Sequence, residues 1–148
     1  MKTALPATKC GNTEFRWGEK TYIMGVVNLS PDSFSGDGIG DNISRTLEQA
    51  RRMVAEGADI IDVGGESTRP GTEPLSVENV EKELRLVVPA IERLIREISV
   101  PISIDTYKSR VAVRALEAGA SMINDIWGLK QDPALARLAA EKGVPVIL

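Results

Sequence analysis

Residues 101–126 read PISIDTYKSRVAVRALEAGASMINDI. The apolar run at 101–105 alternates Ile, Ser and Ile and ends on the carboxylate Asp105. A helical stretch over 109–118 follows, closed by Gly119, the residue a left-handed helix cap favours. A second apolar run at 121–125 then ends on Asn124 and Asp125. Strand, helix, strand within 26 residues is a βαβ unit, whose two strands lie parallel because the crossover returns the chain to the same edge.

The same grammar extends in both directions. Ile- and Val-rich segments at 22–27, 59–63 and 144–148 read as further buried strands. Ile43, Leu47, Ala50 and Val54 mark one helical stripe, and Val80, Leu84, Val87, Ile91, Leu94 and Ile98 a longer one. Pro89 lies inside the longer helix, lacks an N–H, and is expected to kink it. Asp132 and Pro133 are the cap and first residue of a last helix. Gly57, Gly119 and Gly143 stand at the helix-to-strand junctions that enter the second, fourth and fifth strands. Upstream, alternation over 15–25 around Gly18-Glu19 predicts a short hairpin.

Repeated βα units suit a doubly wound sheet or a (β/α)8 barrel. Polar residues follow strand after strand: Asn28, Gly64-Gly65-Glu66, Asp105, and Asn124-Asp125. A barrel places its chemistry on many strand ends, whereas an open sheet uses one switch point. The expected fold is therefore α/β, the N-terminal half of a (β/α)8 barrel. It has four βα units, a fifth strand and an N-terminal hairpin. The 148 residues form one domain, apparently truncated at the C-terminus, since a barrel needs about 250 residues.

Composition removes other classes. The chain is 43% hydrophobic and 26% charged, which excludes a disordered or low-complexity protein. Eighteen basic against 21 acidic residues give a net charge of −3, unlike the basic balance of a nucleic-acid binder. With no histidine, the chain holds no Ser–His–Asp or Cys–His machinery. Its one cysteine, Cys10, allows neither an internal disulfide nor a multi-cysteine metal site. No apolar run approaches the ~18 residues of a membrane span. A cytoplasmic location without membrane or nucleic-acid partners is expected.

Two loops stand out. Asn28-Leu29-Ser30-Pro31-Asp32-Ser33-Phe34-Ser35-Gly36-Asp37-Gly38 is longer than the usual 2–6 residues of a βα loop. It reads either as a surface turn or as a lid over a planar ligand. Gly64-Gly65-Glu66-Ser67-Thr68-Arg69-Pro70-Gly71 couples two glycines, which allow close backbone approach to a ligand, to an Arg suited to phosphate or carboxylate. The alternative is a plain turn with Arg69 paired to Asp32 or Asp62. Asp105 and Asn124 end adjacent strands. Either each caps the next helix, or together they read a flat heterocycle with a donor–donor edge. Lys108 reads as a solvated charge, and Trp17 and Trp127 as packing residues.

These motifs resemble the dihydropteroate synthase family. The resemblance rests on Met24–Ser35, Asp62–Gly71, and the run from Ile104-Asp105-Thr106 through Gly119-Ala120 to Asn124-Asp125-Ile126. It implies condensation of 6-hydroxymethyl-7,8-dihydropterin diphosphate with 4-aminobenzoate to 7,8-dihydropteroate, with Mg2+ assisting, in folate biosynthesis. It implies that Asp105 and Asn124 hold the pterin and that Ile126 lines the pocket. Asn28 would meet the metal or diphosphate. Thr68, Arg69 and Pro70 belong to one substrate loop and Phe34 to the other, with Asp32 and Asp62 as loop support. Asp105, Asn28 and Arg69 carry the catalytic expectation, and a homodimer is implied for the whole family member. The family's late basic motifs and strands six to eight have no counterpart here, so activity of these 148 residues alone is not expected. A methyltetrahydrofolate-dependent methyltransferase of the same barrel group and a non-catalytic pterin-binding fragment are the alternatives.

Overall fold

The computed structural model describes residues 5–29, 39–66 and 77–148, with backbone alone at 39–42 and 77–78. Its strands are β1 (Ala7–Cys10), β2 (Thr13–Arg16), β3 (Met24–Asn28), β4 (Ile60–Gly64), β5 (Ile102–Asp105), β6 (Met122–Asn124) and β7 (Val146–Ile147). Its helices are α1 (Ile39–Ala55), α2 (Val77–Glu97), α3 (Ser109–Ala118) and α4 (Pro133–Lys142). Strands β3 to β7 form one parallel sheet in the order β3-β4-β5-β6-β7. That order follows the chain and contains no reversal, as in a barrel wall and unlike a doubly wound sheet.

The two faces of this sheet are chemically different because side chains alternate along each strand. Val27, Ile61, Val63, Ile102, Ile104 and Ile123 point to the helices and form a single apolar core with them. Leu47 and Ala50 of α1, Val87, Ile91 and Leu94 of α2, Val111 and Ala115 of α3, and Leu135 and Leu138 of α4 complete it. The intervening positions carry Asp62, Ser103, Asp105 and Asn124, so the opposite face is polar toward its C-terminal edge. α2 continues through Pro89 for 21 residues.

The hairpin lies earlier than the alternation suggested. β1 pairs with β2 from Ala7↔Arg16 to Cys10↔Thr13, around Gly11-Asn12. A two-residue Gly-Asn connection suits the right-handed twist of a hairpin, and Gly11 adopts φ +58°. Gly18 turns the chain again, toward β3, rather than closing the hairpin. The hairpin places Cys10 and Phe15 against Ile60 and Met122 at the N-terminal ends of the sheet strands. Phe15 meets Tyr22 edge-on at 4.9 Å, and Trp17 packs on the same Tyr22 at 5.4 Å. Burial pushes the Cys10 thiol up, against a hydrogen bond with Ser121.

Asp132 does more than cap its own helix. One carboxylate oxygen accepts from the Ala134 N–H at 3.0 Å, and the other accepts from the Ser109 N–H at 2.8 Å. It thus joins the N-termini of α3 and α4. At the other end of α3, Gly119 has φ +123°, and a β-carbon there would stand 2.3 Å from Ile95 Cδ1. Gly119→Ala is expected to lower stability by about 1–2 kcal/mol through backbone strain at this positive φ, since the exposed end of Ile95 can turn aside. Urea unfolding of wild type and variant measures this.

Candidate functional site

The register of the parallel sheet sets the site. Asn28, Gly64, Asp105, Asn124 and Ile147 pair successively across five strands, forming one row at the C-terminal edge. Asp62 and Ser103 pair in the row beneath. The Ser103 hydroxyl donates to Asp62 Oδ1, and Asn124 Nδ2 donates to Asp62 Oδ2 at 3.0 Å. Asp62 is 2% exposed and Ser103 is fully buried. Asp62, expected to support the loops, accepts from a sheet neighbour on each carboxylate oxygen; the loop residues it would support lie outside the described residues.

Asp105 occupies the centre of the row. Its pKa is raised from 3.8 to about 7, first by burial and then by the nearby carboxylates of Asp62, Glu83, Asp125 and Glu66. Burial also raises Asp62, although the Ser103 and Asn124 bonds oppose this. Gly64 keeps the neighbouring position open: a β-carbon there would lie 3.3 Å from Asp105 Oδ2. At Gly65 a β-carbon would approach Val87 Cγ1 to 2.8 Å and Glu83 Cγ to 3.0 Å. A side chain at Gly65 would thus displace Val87 on α2, while one at Gly64 would press on Asp105.

Lys108 is not a solvated charge. It is 2% exposed and sits between Glu83 at 2.7 Å and Glu66 at 2.8 Å. Burial pulls its pKa down, but the bonds to Glu66 and Glu83 outweigh that and hold it above its ordinary value. Nothing near Lys108 in sequence announces this, because its partners lie on the segment after β4 and on α2. The Tyr107 hydroxyl also donates to Glu66 Oε1 at 3.2 Å, and its ring meets Trp127 edge-on at 6.4 Å. Segments following β4, β5 and β6 are therefore tied to one another.

Asp125 has a local task. Its carboxylate accepts from the N–H groups of Trp127 at 2.9 Å and Leu129 at 2.7 Å. Leu129 is held in the left-handed region at φ +62°. This turn presents Ile126 and Trp127, which are 55% and 49% exposed. Trp127 is thus only edge-packed, where a packing residue was expected.

Of the residues singled out in the sequence, Asp105, Asn124, Asn28 and Asp62 come together on the sheet, and Ile126 lies on the adjoining turn. Asp32, Phe34, Thr68, Arg69 and Pro70 lie outside the described residues. Ser103, Lys108, Glu66 and Glu83 were not recognised as a supporting network. For Ser103 a signal existed: a polar residue two positions before a polar strand end faces the same side. Among the described residues no group of three His, Cys, Asp or Glu side chains is arranged to hold a metal ion.

Residues 24–148 match the family of pterin binding enzymes. The dihydropteroate synthase of Bacillus subtilis (strain 168) is 53% identical over 130 residues, covering 88% of this chain and 45% of the relative. That of Clostridium beijerinckii is 51% identical over 140 residues, covering 95% and 51%. The chain thus spans about half the length of the curated relatives it matches. Among solved structures, the Xanthomonas albilineans dihydropteroate synthase with 4-aminobenzoic acid superposes with TM-score 0.82 at 40% identity, covering 96% of this chain and 51% of that one. The Clostridium difficile dihydropteroate synthase, solved in the presence of pteroic acid, gives TM-score 0.80 at 47% identity, covering 87% and 48%.

Two measurements check this electrostatic picture. Lys108→Met leaves buried carboxylates without their cation and is expected to cost about 3–5 kcal/mol in denaturant unfolding. Adding Glu83→Gln to that variant should recover part of the loss. For Asp105 the folded pKa lies above 3.8, so the native state holds the extra proton between that value and about 7. The stability linked to that proton is complete below the lower value and is lost as pH rises through about 7. Asp105→Asn is expected to flatten stability across this window, and carboxyl NMR should show the wild-type Asp105 titrating near neutrality.

Proposed function

The chain belongs to the pterin-binding enzymes, and on that premise we propose that the protein works as a dihydropteroate synthase. In this reading it joins 4-aminobenzoate to 6-hydroxymethyl-7,8-dihydropterin diphosphate and releases 7,8-dihydropteroate and diphosphate. The observation that carries the proposal is the pairing of Asp105 with Asn124 in register on neighbouring strands, at the barrel end where chemistry is placed. Asp105 offers two oxygens to the adjacent N3–H and 2-amino donors of a pterin, much as a carboxylate grips a guanidinium.

The chemistry asks for charge control. The bond between the pterin methylene and the diphosphate oxygen breaks, and the electron pair leaves with diphosphate. Positive charge spreads into the dihydropterin ring, where Asp105 stabilises it in its ionised form. The arylamine nitrogen then bonds to the methylene, and its proton passes to solvent. An arylamine attacks without prior deprotonation, so no histidine is required. Arg69, with Thr68 and Pro70, would position the second substrate, and Phe34 and Asp32 would act from the first loop. Ile126, exposed on its turn, would line the pterin pocket.

Mg2+ belongs to the same proposal. Asn28 lies in the site row and would offer the ion its carboxamide oxygen. Magnesium commonly binds through few protein oxygens together with substrate phosphates and water, so this donor suits it. When bound, the ion supplies charge neutralisation to the departing diphosphate. The homodimer and the cytoplasmic location are proposed with it on the family resemblance, and light scattering checks the dimer. Among the described residues no helix is long and apolar enough to cross a membrane.

The test is turnover of labelled 4-aminobenzoate by the protein expressed from its complete gene. Incorporation into dihydropteroate that depends on the pterin diphosphate is expected. Asp105→Asn should lower kcat/KM by roughly 10²-fold, the scale for losing one charge-stabilising group. A folded protein that binds the pterin diphosphate and forms no dihydropteroate would overturn the proposal.

A further inference from the structure

The row of site residues rests on a layer that decides what the row offers. Asp62 accepts the Ser103 hydroxyl on one oxygen and the Asn124 amide on the other. The Asn124 end that faces Asp62 is therefore the NH2 group, the only donor a carboxamide has. The oxygen and nitrogen of a carboxamide lie in one plane and point in different directions from the carbon that joins them. Asn124 therefore turns its carbonyl oxygen away from Asp62. Asp105, its partner in register, is likewise a carboxyl group rich in acceptor oxygens.

We infer that Asp62, held by Ser103, is a specificity-determining positioning residue: it fixes the Asn124 amide so that the site presents acceptors to its ligand. Asp62 is buried and acts through Asn124. The inference rests on the proposal that a pterin occupies this site. It adds that the site selects a heterocycle edge carrying N–H donors and rejects one in which a carbonyl replaces a donor. An acceptor placed against the Asn124 carbonyl oxygen finds no proton, and an unpaired buried acceptor is costly.

Asp62→Asn tests this with little change of shape. Ser103 can continue to donate to the new carbonyl oxygen, which leaves the new NH2 facing Asn124. Asn124 must then turn its own oxygen inward and present its NH2 to the ligand. Affinities of 6-hydroxymethylpterin and of its 2,4-dioxo analogue are measured by calorimetry on the complete protein, wild type and variant. The wild type is expected to prefer the 2-amino compound. In Asp62→Asn that preference should shrink roughly tenfold, with the analogue gaining relative to the pterin. A role limited to stability would weaken both ligands together and leave the ratio unchanged, and that result overturns the inference while leaving pterin binding intact. A wild type that binds neither compound overturns the proposed function and this inference with it.

A readout on the wild type covers the case in which Asp62→Asn does not fold. Nuclear Overhauser contacts from the Asn124 Nδ2 protons should reach Asp62 in the free protein and persist when 6-hydroxymethylpterin binds. Contacts from those protons to the bound pterin instead would contradict the orientation.

Discussion

The parallel register of β3 to β6 is the constraint on which the remaining structure depends. Because Asn28, Gly64, Asp105 and Asn124 pair in succession, one row of the sheet gathers residues up to 96 positions apart in sequence. Side-chain alternation then does two things at once. It sends Val27, Val63, Ile104 and Ile123 into the helix-covered core and leaves the intervening residues on the other face. A one-residue slip of β5 would exchange Ile104 with its polar neighbours Ser103 and Asp105, placing a carboxyl in the core and an Ile in the site. Stability of the core and placement of the site are therefore one requirement.

The second constraint is electrostatic. Asp62, Glu66, Glu83 and Asp125 all press on Asp105, and burial presses hardest. Lys108 answers two of these acids directly, and Ser103 and Asn124 serve a third through hydrogen bonds. Asp125 is occupied with the turn that carries Ile126 and Trp127. Asp105 is left as the acid poised near neutrality. A carboxyl held this way gains most from a ligand that brings cationic or N–H donor character.

Much of this was legible in the sequence because it rests on local pattern. The helical stretch Ser109–Ala118 ends at Gly119 as expected, and Asp132-Pro133 opens α4 as a cap and first-turn pair should. Sequential strands and polar strand ends pointed to a barrel wall. The hairpin was misplaced because Gly18-Glu19 and Gly11-Asn12 are both turn signals, and only packing of Phe15 and Cys10 beneath the sheet selects between them. Lys108 was misread for a related reason. Its meaning depends on Glu66 and Glu83, which reach it only after β4, α2 and β5 have packed. Likewise, Ser103 acquires its role from Asp62 across the strand pair, which no window along the chain contains.

The central claim is that the Asp105–Asn124 row is where a pterin ring is held. A crystal structure of the complete protein with 6-hydroxymethyl-7,8-dihydropterin diphosphate tests it most directly. The account predicts the ring within hydrogen-bond distance of both Asp105 and Asn124, with the Asn124 amide still donating to Asp62. A well-ordered ring bound elsewhere, or one touching neither residue, would contradict it.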